Sequence, residues 1–569
     1  MKRTVITALF IMFAAAVAHA ADVAALADRF VQLRLSSDPT IAYLTGLKAP
    51  NNSALRDLSP AGIRALEAKE DALWDDLLRI DAAHLKADER PIYAVLKETL
   101  GADRGLRVCK NELWDVSQMT GWQVAFVDVA KAQPVGTASL RAEALARWRS
   151  LPAYIQTDID NLRNGLKQGY SAPKSVVNRV VMQLNGLLAL PPEKSPFYSS
   201  AERDGDADFK EDFRKLVAEQ INPALKKFRD FLTDEYLSKA RDTISVFALP
   251  NGKACYQAFL RKFTTLDRTP EQVFALGEKT VAENKAAVVE LGHKLYGTDN
   301  FETIARKNNE AQANHFTSKD ELLAYSNHLL ARTLEMSRPL FRKLPDQPVI
   351  IEPVPEYQTG SGIQPHYDPQ PDTSKPGKYI IPLETWQSDT RGVAEVTLVH
   401  ETVPGHHLQI ALAREFPHPS DIFKLAYNSA YLEGWARYAE RLSEEAGIYE
   451  TDYARIARRI WPARGMVVDP GIHSFGWSRQ RAIDYVKSTG RFDDKTADAL
   501  VDRIAVLPGQ LTAYDSGGLE IFALRREAEA ALGSKFDMRE FHQRVLEEGI
   551  VPLEELTAHV QAWIGSQPK

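Results

Sequence analysis

The sequence predicts a mainly α-helical protein with one small β element, and helix start signals carry most of that prediction. Ser59 and Pro60 have the residue types of a helix N-cap and a first helical position. They open a segment whose apolar residues recur at helical spacing, namely Ile63, Leu66, Leu73, Trp74 and Leu77. Residues 269–272, Thr-Pro-Glu-Gln, have the pattern of a capping box. No stretch of the N-terminal half alternates as a half-buried strand would, so helices are expected throughout it.

The β element is predicted between Pro348 and Leu383. There the apolar runs PVIIEPV and KYIIPL flank the stretch EYQTGSGIQPHYDPQPDTSKPG, whose prolines and glycines preclude a helix. We therefore expect a loop between two short strands, with helices resuming at Asp389.

Residues 1–20 have the pattern of a secretory signal peptide. Lys2 and Arg3 precede an apolar run, and the stretch ends with the small-x-small sequence Ala-His-Ala. Cleavage is expected between Ala20 and Ala21, and no lipid attachment is expected because position 21 is not cysteine. The pattern indicates a soluble, exported protein, most simply of a bacterial periplasm.

The remaining residues, 21–569, are expected to form one large lobed helical domain, with two closely joined domains as the alternative. The formal net charge is -6 and there are no basic runs, which disfavours nucleic acid and anionic membranes as partners. After the N-terminal run no apolar segment is long enough to span a bilayer, so membrane insertion is not expected.

Cys109 and Cys255 are the two cysteines of the chain. In an oxidising compartment a disulfide between them is expected. A metal-binding role is less favoured, because neither has a second cysteine or a histidine at ligand spacing.

The stretch TLVHETVPGHHLQIALA begins like the zinc-binding pattern H-E-x-x-H. That pattern works because positions i and i+4 share one helix face, so two imidazoles reach one Zn²⁺. Here Pro404 occupies the place of the second histidine, and His406 and His407 come six and seven residues after His400. Proline disfavours an unbroken helix, since it cannot donate to the carbonyl of His400. A bulge absorbing two residues, helped by Gly405, would return His406 to the place of the missing ligand.

A catalytic zinc needs a third protein ligand and an open fourth position. The stretch NSAYLEGWARYAERL offers Glu433 as that ligand. Ser420 and Asp421 resemble the start of its helix, whose apolar positions include Ile422, Leu425, Leu432 and Trp435. Packed against the first helix, such a helix would turn one carboxylate toward the two histidines.

The stretches HETVPGHH, YLEGWARYAE, VVDPGIHSFGW and LPGQLTAYDSG resemble the DUF885 family, bacterial proteins similar to zinc metallopeptidases of the oligopeptidase and carboxypeptidase-Taq type. The resemblance covers most of the chain, since CKNELWDVSQMTGWQ nearer the N-terminus also fits it. The family pattern H-E-x-x-P-G-H, followed by E-G-W, implies His400, His406 and Glu433 as metal ligands and Glu401 as general base. His407 falls where the family accepts other residues, so we expect it to support the ligands rather than bind the metal.

The resemblance also makes Tyr514 and His473 candidate transition-state donors. Taken alone, they are an aromatic residue beside a turn and a loop histidine. A zinc hydrolase, however, needs donors for the oxyanion that develops opposite the metal, and Tyr or His commonly supplies them. Arg437 and Glu440, one and two turns beyond the third ligand, are expected to pack behind the site. Tyr367 is a weaker candidate for lining the cleft.

Together these residues predict an exported zinc hydrolase that cleaves a peptide or small amide substrate, with Glu401 accepting a proton from water. The strand near KYIIPL would hold an extended peptide at a sheet edge, which favours peptide bonds. One alternative is a zinc hydrolase of a non-peptide amide or ester. Another is a non-catalytic periplasmic binding protein that zinc stabilises, although Glu401 argues against it because a structural site needs no base.

Other common chemistries find no support in the sequence. The chain has no G-x-S-x-G nucleophile elbow, no G-x-x-x-x-G-K-[ST] phosphate loop and no G-x-G-x-x-G after a strand. A cysteine nucleophile is disfavoured because both cysteines are expected to be oxidised.

Overall fold

A computed structural model describes residues 22–354, 364–370, 372–418 and 420–567. The predicted signal peptide and its cleavage site lie outside the described residues.

Helices make up most of the described chain, which confirms the mainly α-helical prediction. The first fourteen are α1 (Val23–Ser37), α2 (Ile41–Thr45), α3 (Pro60–Leu77), α4 (Arg90–Leu106), α5 (Trp122–Ala132), α6 (Ala138–Lys167), α7 (Lys174–Leu188), α8 (Ser199–Glu202), α9 (Ala207–Leu216), α10 (Asn222–Asp230), α11 (Gly252–Thr264), α12 (Pro270–Tyr296), α13 (Phe301–Glu310) and α14 (Lys319–Ser337). Those after the sheet are α15 (Arg391–Glu401), α16 (His406–Glu415), α17 (Ile422–Leu425), α18 (Ser429–Glu445), α19 (Asp452–Ile460), α20 (Gly465–His473), α21 (Arg479–Lys487), α22 (Asp494–Val506), α23 (Gln510–Leu532), α24 (Met538–Leu546) and α25 (Leu553–Ser566).

The two predicted helix starts are confirmed by their caps. Ser59 accepts a hydrogen bond from the Gly62 N–H, and Pro60 is the first residue of α3. Thr269 and Gln272 exchange the two hydrogen bonds of a capping box at the start of α12.

The β element is a three-stranded sheet of β1 (Val349–Pro353), β2 (His366–Asp368) and β3 (Gly377–Ile381), in the order β1-β3-β2. Strand β1 is parallel to β3, and β2 is antiparallel to it. The two predicted strands are therefore present, but the stretch expected to be only a loop contributes β2. The KYIIPL strand, β3, is central rather than at an edge, so it cannot accept a further strand as the sequence had led us to expect.

The largest cluster of buried apolar side chains joins the two ends of the described chain. Leu26 of α1 and Val560 of α25 belong to it, and so does Trp435 of α18. Helix α18, which carries the predicted third ligand, is therefore anchored in the main core.

Helices α18 and α23 meet backbone to backbone at glycines. A Cβ atom at Gly434 would lie 2.5 Å from the carbonyl carbon of Gly517, and one at Gly517 would lie 1.8 Å from the Ala430 oxygen. Any side chain at either position would force the two helices apart.

Cys109 and Cys255 form a disulfide, as predicted, and both are buried. The bond links the start of α11 to the short turn after α4. Within the described ranges, none of the helices has both the length and the apolar composition needed to cross a bilayer.

Candidate metal centre

The first ligand segment consists of two helices separated by a turn. Helix α15 ends at Glu401, residues 402–405 leave the helix, and α16 begins at His406. The two extra residues are thus absorbed between helices, not by a bulge within one helix as we had expected. Gly405 permits this turn because a Cβ there would lie 2.0 Å from the His400 carbonyl oxygen.

Glu433 reaches the site from α18. This helix begins at Ser429, where the Asn428 side chain caps it by accepting from the Tyr431 N–H at 3.1 Å. The predicted start at Ser420 and Asp421 was wrong, because that segment forms only the short α17 before the chain leaves the helix.

The structure brings His400, His406 and Glu433 together. The Nε2 atoms of His400 and His406 each lie 3.4 Å from Oε2 of Glu433, and the potential ligand atoms all lie within 4.8 Å of one another. The three side chains are largely buried, with exposed fractions of 12%, 13% and 16%. Among the described residues, Glu433 Oε2 and His406 Nδ1 are buried without a hydrogen-bond partner.

These contacts fit a bound cation of the zinc class. A buried carboxylate oxygen without a donor is costly, and a cation in contact with it and with two imidazole nitrogens removes that cost. Two histidines and one glutamate are also a ligand set found in catalytic zinc sites.

A buried ion pair orients His400. Its Nδ1–H donates to Oε1 of Glu440 at 2.8 Å, and Arg437 donates to the same oxygen at 2.6 Å. Burial alone would lower the pKa of His400, but the carboxylates of Glu433 and Glu440 raise it to about 10. The contact to Glu440 leaves Nε2 facing Glu433, as a metal ligand requires. Arg437 and Glu440 therefore support the site in the way the sequence predicted.

Glu401 lies beside the ligand cluster without belonging to it. Its Oε2 accepts a hydrogen bond from the Tyr367 N–H of strand β2 at 2.9 Å. Its charge also acts on His400, where it contributes to the raised pKa. The carboxylate is thus oriented by the backbone of the sheet.

Tyr514 of α23 faces the ligand cluster. Its ring stacks beside that of His400, with the centroids 6.4 Å apart, and its hydroxyl oxygen accepts from Nη2 of Arg503 at 3.1 Å. Burial and the nearby Glu433 carboxylate raise the pKa of Tyr514. The hydroxyl therefore stays protonated at neutral pH and can donate.

Arg503 is the site residue that sequence reasoning missed. It lies on α22, and the packing of the folded chain brings it into contact with Tyr514. A single arginine in an amphipathic helix gives no signal of its own. The only hint in the sequence would have been that this arginine precedes Tyr514, the candidate donor, by more than one helical turn.

His407 points away from the ligand cluster. Its Nδ1 accepts from the Tyr367 hydroxyl at 3.0 Å, and its Nε2–H donates to the Gln347 carbonyl at 3.0 Å. Burial lowers its pKa to about 4, so the ring is neutral. Both nitrogens are thus bonded to protein groups, which fits the expected supporting role. The Tyr367 side chain is buried in this contact with His407.

His473 belongs to a different region, which we call the His473 interface and define as His473, Asp469 and Tyr256 with their contacts. The Nδ1 atom of His473 accepts from the Val246 N–H at 3.2 Å, and its Nε2–H donates to the Ile504 carbonyl at 3.0 Å. Burial lowers its pKa to about 3. With both nitrogens bonded to backbone groups, His473 has no donor free for an oxyanion, which argues against the catalytic role expected from the sequence.

Two solved structures share this fold. The chain is 24% identical to the putative lipoprotein from Colwellia psychrerythraea, with a TM-score of 0.85 and coverage of 96% of this chain and 99% of that one. It is 19% identical to a putative lipoprotein of unknown function from Shewanella oneidensis, with a TM-score of 0.78 and coverage of 95% and 99%. No curated protein matches the chain. Residues 39–560 match the family described as bacterial protein of unknown function, DUF885, and the chain therefore belongs to that family.

Proposed function

We propose that this protein is a zinc-dependent hydrolase that cleaves peptide bonds. The observation that carries the proposal is the buried Oε2 atom of Glu433, which lies 3.4 Å from two imidazole nitrogens and has no hydrogen-bond partner among the described residues. At 3.4 Å both imidazole nitrogens are too far away for good hydrogen bonds, and a cation in contact with all three ligand atoms would satisfy them better.

The metal and the adjacent carboxylate divide the chemistry. His400, His406 and Glu433 would hold the zinc, which would supply a Lewis acid to polarise a carbonyl and lower the pKa of a water. Glu401 accepts a proton from the attacking water and returns it to the leaving amine. The Tyr367 N–H occupies Oε2 of Glu401, which leaves Oε1 as the atom that takes the proton.

Tyr514 supplies the second donor that amide hydrolysis needs. Because Arg503 donates to its oxygen, Tyr514 can use its hydroxyl hydrogen as a donor, which would turn from Glu433 toward the oxyanion that develops on the substrate carbonyl once a metal binds Glu433. Arg503 also makes that hydroxyl a stronger donor, since a neighbouring cation stabilises negative charge on the phenol oxygen.

Edge strand β2, which contacts Glu401, is a poor platform for an added peptide strand. The outward N–H of Tyr367 on edge strand β2 is already bonded to Glu401. Pro365 and Pro369, on either side of β2, have no N–H to offer. Substrate recognition in this proposal therefore depends on side chains around the metal rather than on strand addition.

The proposal includes export from the cytoplasm. Residues 1–20 have the pattern of a signal peptide, and a disulfide joins Cys109 to Cys255. The two similar solved structures are named as putative lipoproteins, which also supports an exported family.

Glu401→Gln tests the proposal, because glutamine keeps the volume and hydrogen bonds of the side chain but cannot accept the proton. The zinc-loaded wild type and variant are incubated with a pool of random tetrapeptides and with a panel of non-peptide amides and esters, and products are identified by mass spectrometry. We expect peptide hydrolysis by the wild type, and a variant that retains zinc while its rate falls roughly 10²- to 10⁴-fold.

The controls separate the alternatives. Zinc removal by a chelator should abolish activity, and added zinc should restore it. Activity confined to non-peptide substrates would replace the peptidase with the wider hydrolase. A wild type that binds zinc and hydrolyses nothing in either panel would favour the non-catalytic binding protein.

A further inference from the structure

Arg503 is a half-buried cation beside the metal centre that lacks an acidic partner. Its Nη2 donates to two neutral oxygens, Oε1 of Gln510 at 2.8 Å and the Tyr514 hydroxyl at 3.1 Å. Its Nε is buried without a hydrogen-bond partner, and no carboxylate of the described residues forms an ion pair with it. The guanidinium is thus partly unsatisfied in both hydrogen bonding and charge.

Arg437, whose guanidinium lies 5.5 Å from the centre of the Tyr514 ring, shows what a structural arginine looks like here. It donates to Glu440 at 2.6 Å, and its Nε, which also lacks a hydrogen-bond partner, lies 3.6 Å from a carboxylate oxygen of Asp515. Both arginines are at least partly buried, but only Arg437 has carboxylates within ion-pair distance. A cation held in such surroundings without an anion is costly, so the missing anion is expected to come from a ligand.

The position of Arg503 connects it to the reaction site. Its guanidinium donates a hydrogen bond to the Tyr514 hydroxyl, the proposed donor to the substrate. Tyr514 and, to a smaller extent, Glu433 raise the pKa of Arg503. Arg503 itself is only half-buried, so a ligand from solvent can reach its guanidinium.

The charges of the site favour an anion. The carboxylates of Glu433 and Glu401 together balance a divalent cation, so Arg503 is the group that gives this part of the site its net positive charge. A planar guanidinium binds a carboxylate through two parallel hydrogen bonds, and its unpartnered Nε is one of the atoms that such a contact uses.

We propose that Arg503 binds the terminal carboxylate of the substrate, so that the enzyme cleaves the peptide bond next to a free C-terminus. This inference rests on the proposed peptide hydrolysis and specifies its substrate class. The competing explanation is that Arg503 only positions Tyr514, in which case a substrate carboxylate would gain nothing from it.

The first experiment compares two pools of random tetrapeptides that differ only in having a free or an amidated C-terminus. The zinc-loaded wild type should release single C-terminal residues and hydrolyse the free-acid pool about ten- to hundredfold faster at subsaturating concentration, as expected for one charge-assisted contact. Arg503→Gln should erase that preference by slowing the free-acid pool much more than the amidated pool, which loses only the support that Arg503 gives to Tyr514. Equal loss on both pools would assign Arg503 to positioning Tyr514 and overturn the inference.

Two variants serve as matched controls. Arg491→Gln removes the same charge from an exposed arginine near Arg437 and Glu440, and it should leave the preference unchanged. If it reduces the preference as strongly as Arg503→Gln does, a diffuse positive field replaces the specific contact. Tyr514→Phe should slow both pools and keep the preference, and loss of the preference in this variant would also overturn the inference.

The second experiment measures binding without turnover. Calorimetry with zinc-loaded Glu401→Gln compares succinate, which has one carboxylate for the metal and one for Arg503, with butyrate, which has only the first. Succinate should bind more tightly than butyrate, and this difference should disappear in the Glu401→Gln, Arg503→Gln double variant. That result would support the carboxylate site even if no peptide is hydrolysed. The absence of hydrolysis would then refute the proposed hydrolase without refuting the carboxylate site. Equal affinities for the two acids would overturn the inference.

Discussion

The candidate metal centre and the His473 interface are both buried and rich in titratable groups, but they differ in how completely their polar atoms are bonded. In the His473 interface, both ring nitrogens of the histidine have backbone partners, and Asp469 accepts from the Tyr256 hydroxyl at 2.7 Å and the Gly509 N–H at 2.9 Å. In the metal centre, Glu433 Oε2 has no such partner. A histidine motif therefore indicates a binding site where potential ligand atoms face one another, as at Glu433, and a structural network where the ring nitrogens bond to the backbone, as at His473.

The two regions also differ in charge. Burial lowers the pKa of His473 to about 3 and raises that of Asp469 to about 7, so both favour their neutral forms. In the metal centre the partners reverse the effect of burial, since carboxylates raise the pKa of His400 to about 10 and the two histidines lower that of Glu433. The centre thus maintains opposite charges at close range, which is the condition under which a cation can replace protons.

The largest effect is expected when a predicted metal ligand and, separately, its sequence neighbour are replaced. His406→Ala should weaken zinc binding by more than the roughly 10- to 100-fold attributed to outer partners of a metal site. His407→Ala should keep the metal, because both nitrogens of His407 bond to protein groups. Zinc content measured after dialysis decides between them, and a reversed result would place the second ligand at His407.

The next largest effect concerns the covalent link beside the His473 interface, where Cys255 precedes Tyr256. Replacing Cys109 and Cys255 with alanine opens a loop with a sequence separation of 146 residues. On the chain-entropy argument the free energy of unfolding should fall by about 4 to 5 kcal/mol. Urea unfolding gives this value, and zinc content should be unchanged in the folded variant. Loss of zinc at urea concentrations below the unfolding transition would show that the metal centre and the region of the disulfide are not independent.

A smaller effect is expected at the turn between the ligand helices. Gly405→Ala places a methyl group against the His400 carbonyl, so stability should fall by about 1 to 3 kcal/mol and zinc affinity should fall with it. Gly186→Ala is the matched control, because that helical glycine has open space around it and alanine there should stabilise by about 0.5 to 1 kcal/mol. Equal effects of the two substitutions on zinc binding would show that the close approach at Gly405 does not position His406.

The smallest predicted effect is a pH dependence in the His473 interface. Burial raises the pKa of Asp469 from its ordinary value of 3.8 to about 7 in the folded chain, so the folded state binds more protons between these values and the wild type loses stability as pH rises. Asp469→Asn removes this dependence. Its stability relative to wild type should therefore increase from pH 5 to pH 7, by at most about 1.4 kcal/mol per pH unit. Unfolding curves with the same pH slope for both proteins would contradict the raised pKa.

The sequence alone was sufficient to predict features whose interacting residues lie close together in the chain. The caps at Ser59 and Thr269 were predictable because the interacting groups lie within one turn, and the structure confirms both. The grouping of His400, His406 and Glu433 was predictable because the family pattern records a contact that spacing alone cannot show. That zinc binds there and that the protein is a hydrolase stay predictions.

Other features required the tertiary structure. Strand β2 has only three residues between prolines and forms because β3 pairs with it. The role of His473 was misjudged since its partners, Val246 and Ile504, come from distant segments. Arg503 was missed for the same reason, because its relation to Tyr514 depends on how α22 packs against α23.

The glycine contact between α18 and α23 has a consequence for motion. Side chains between helices can change rotamer and allow sliding, but the contact of Gly434 with Gly517 contains only backbone atoms and has no such freedom. These helices carry Glu433 and Tyr514, so ligand and donor should move as one rigid unit while any opening of the site occurs on the side of α15, α16 and the sheet. Amide hydrogens around the two glycines should accordingly exchange together and slowly, and those of β2 should exchange sooner.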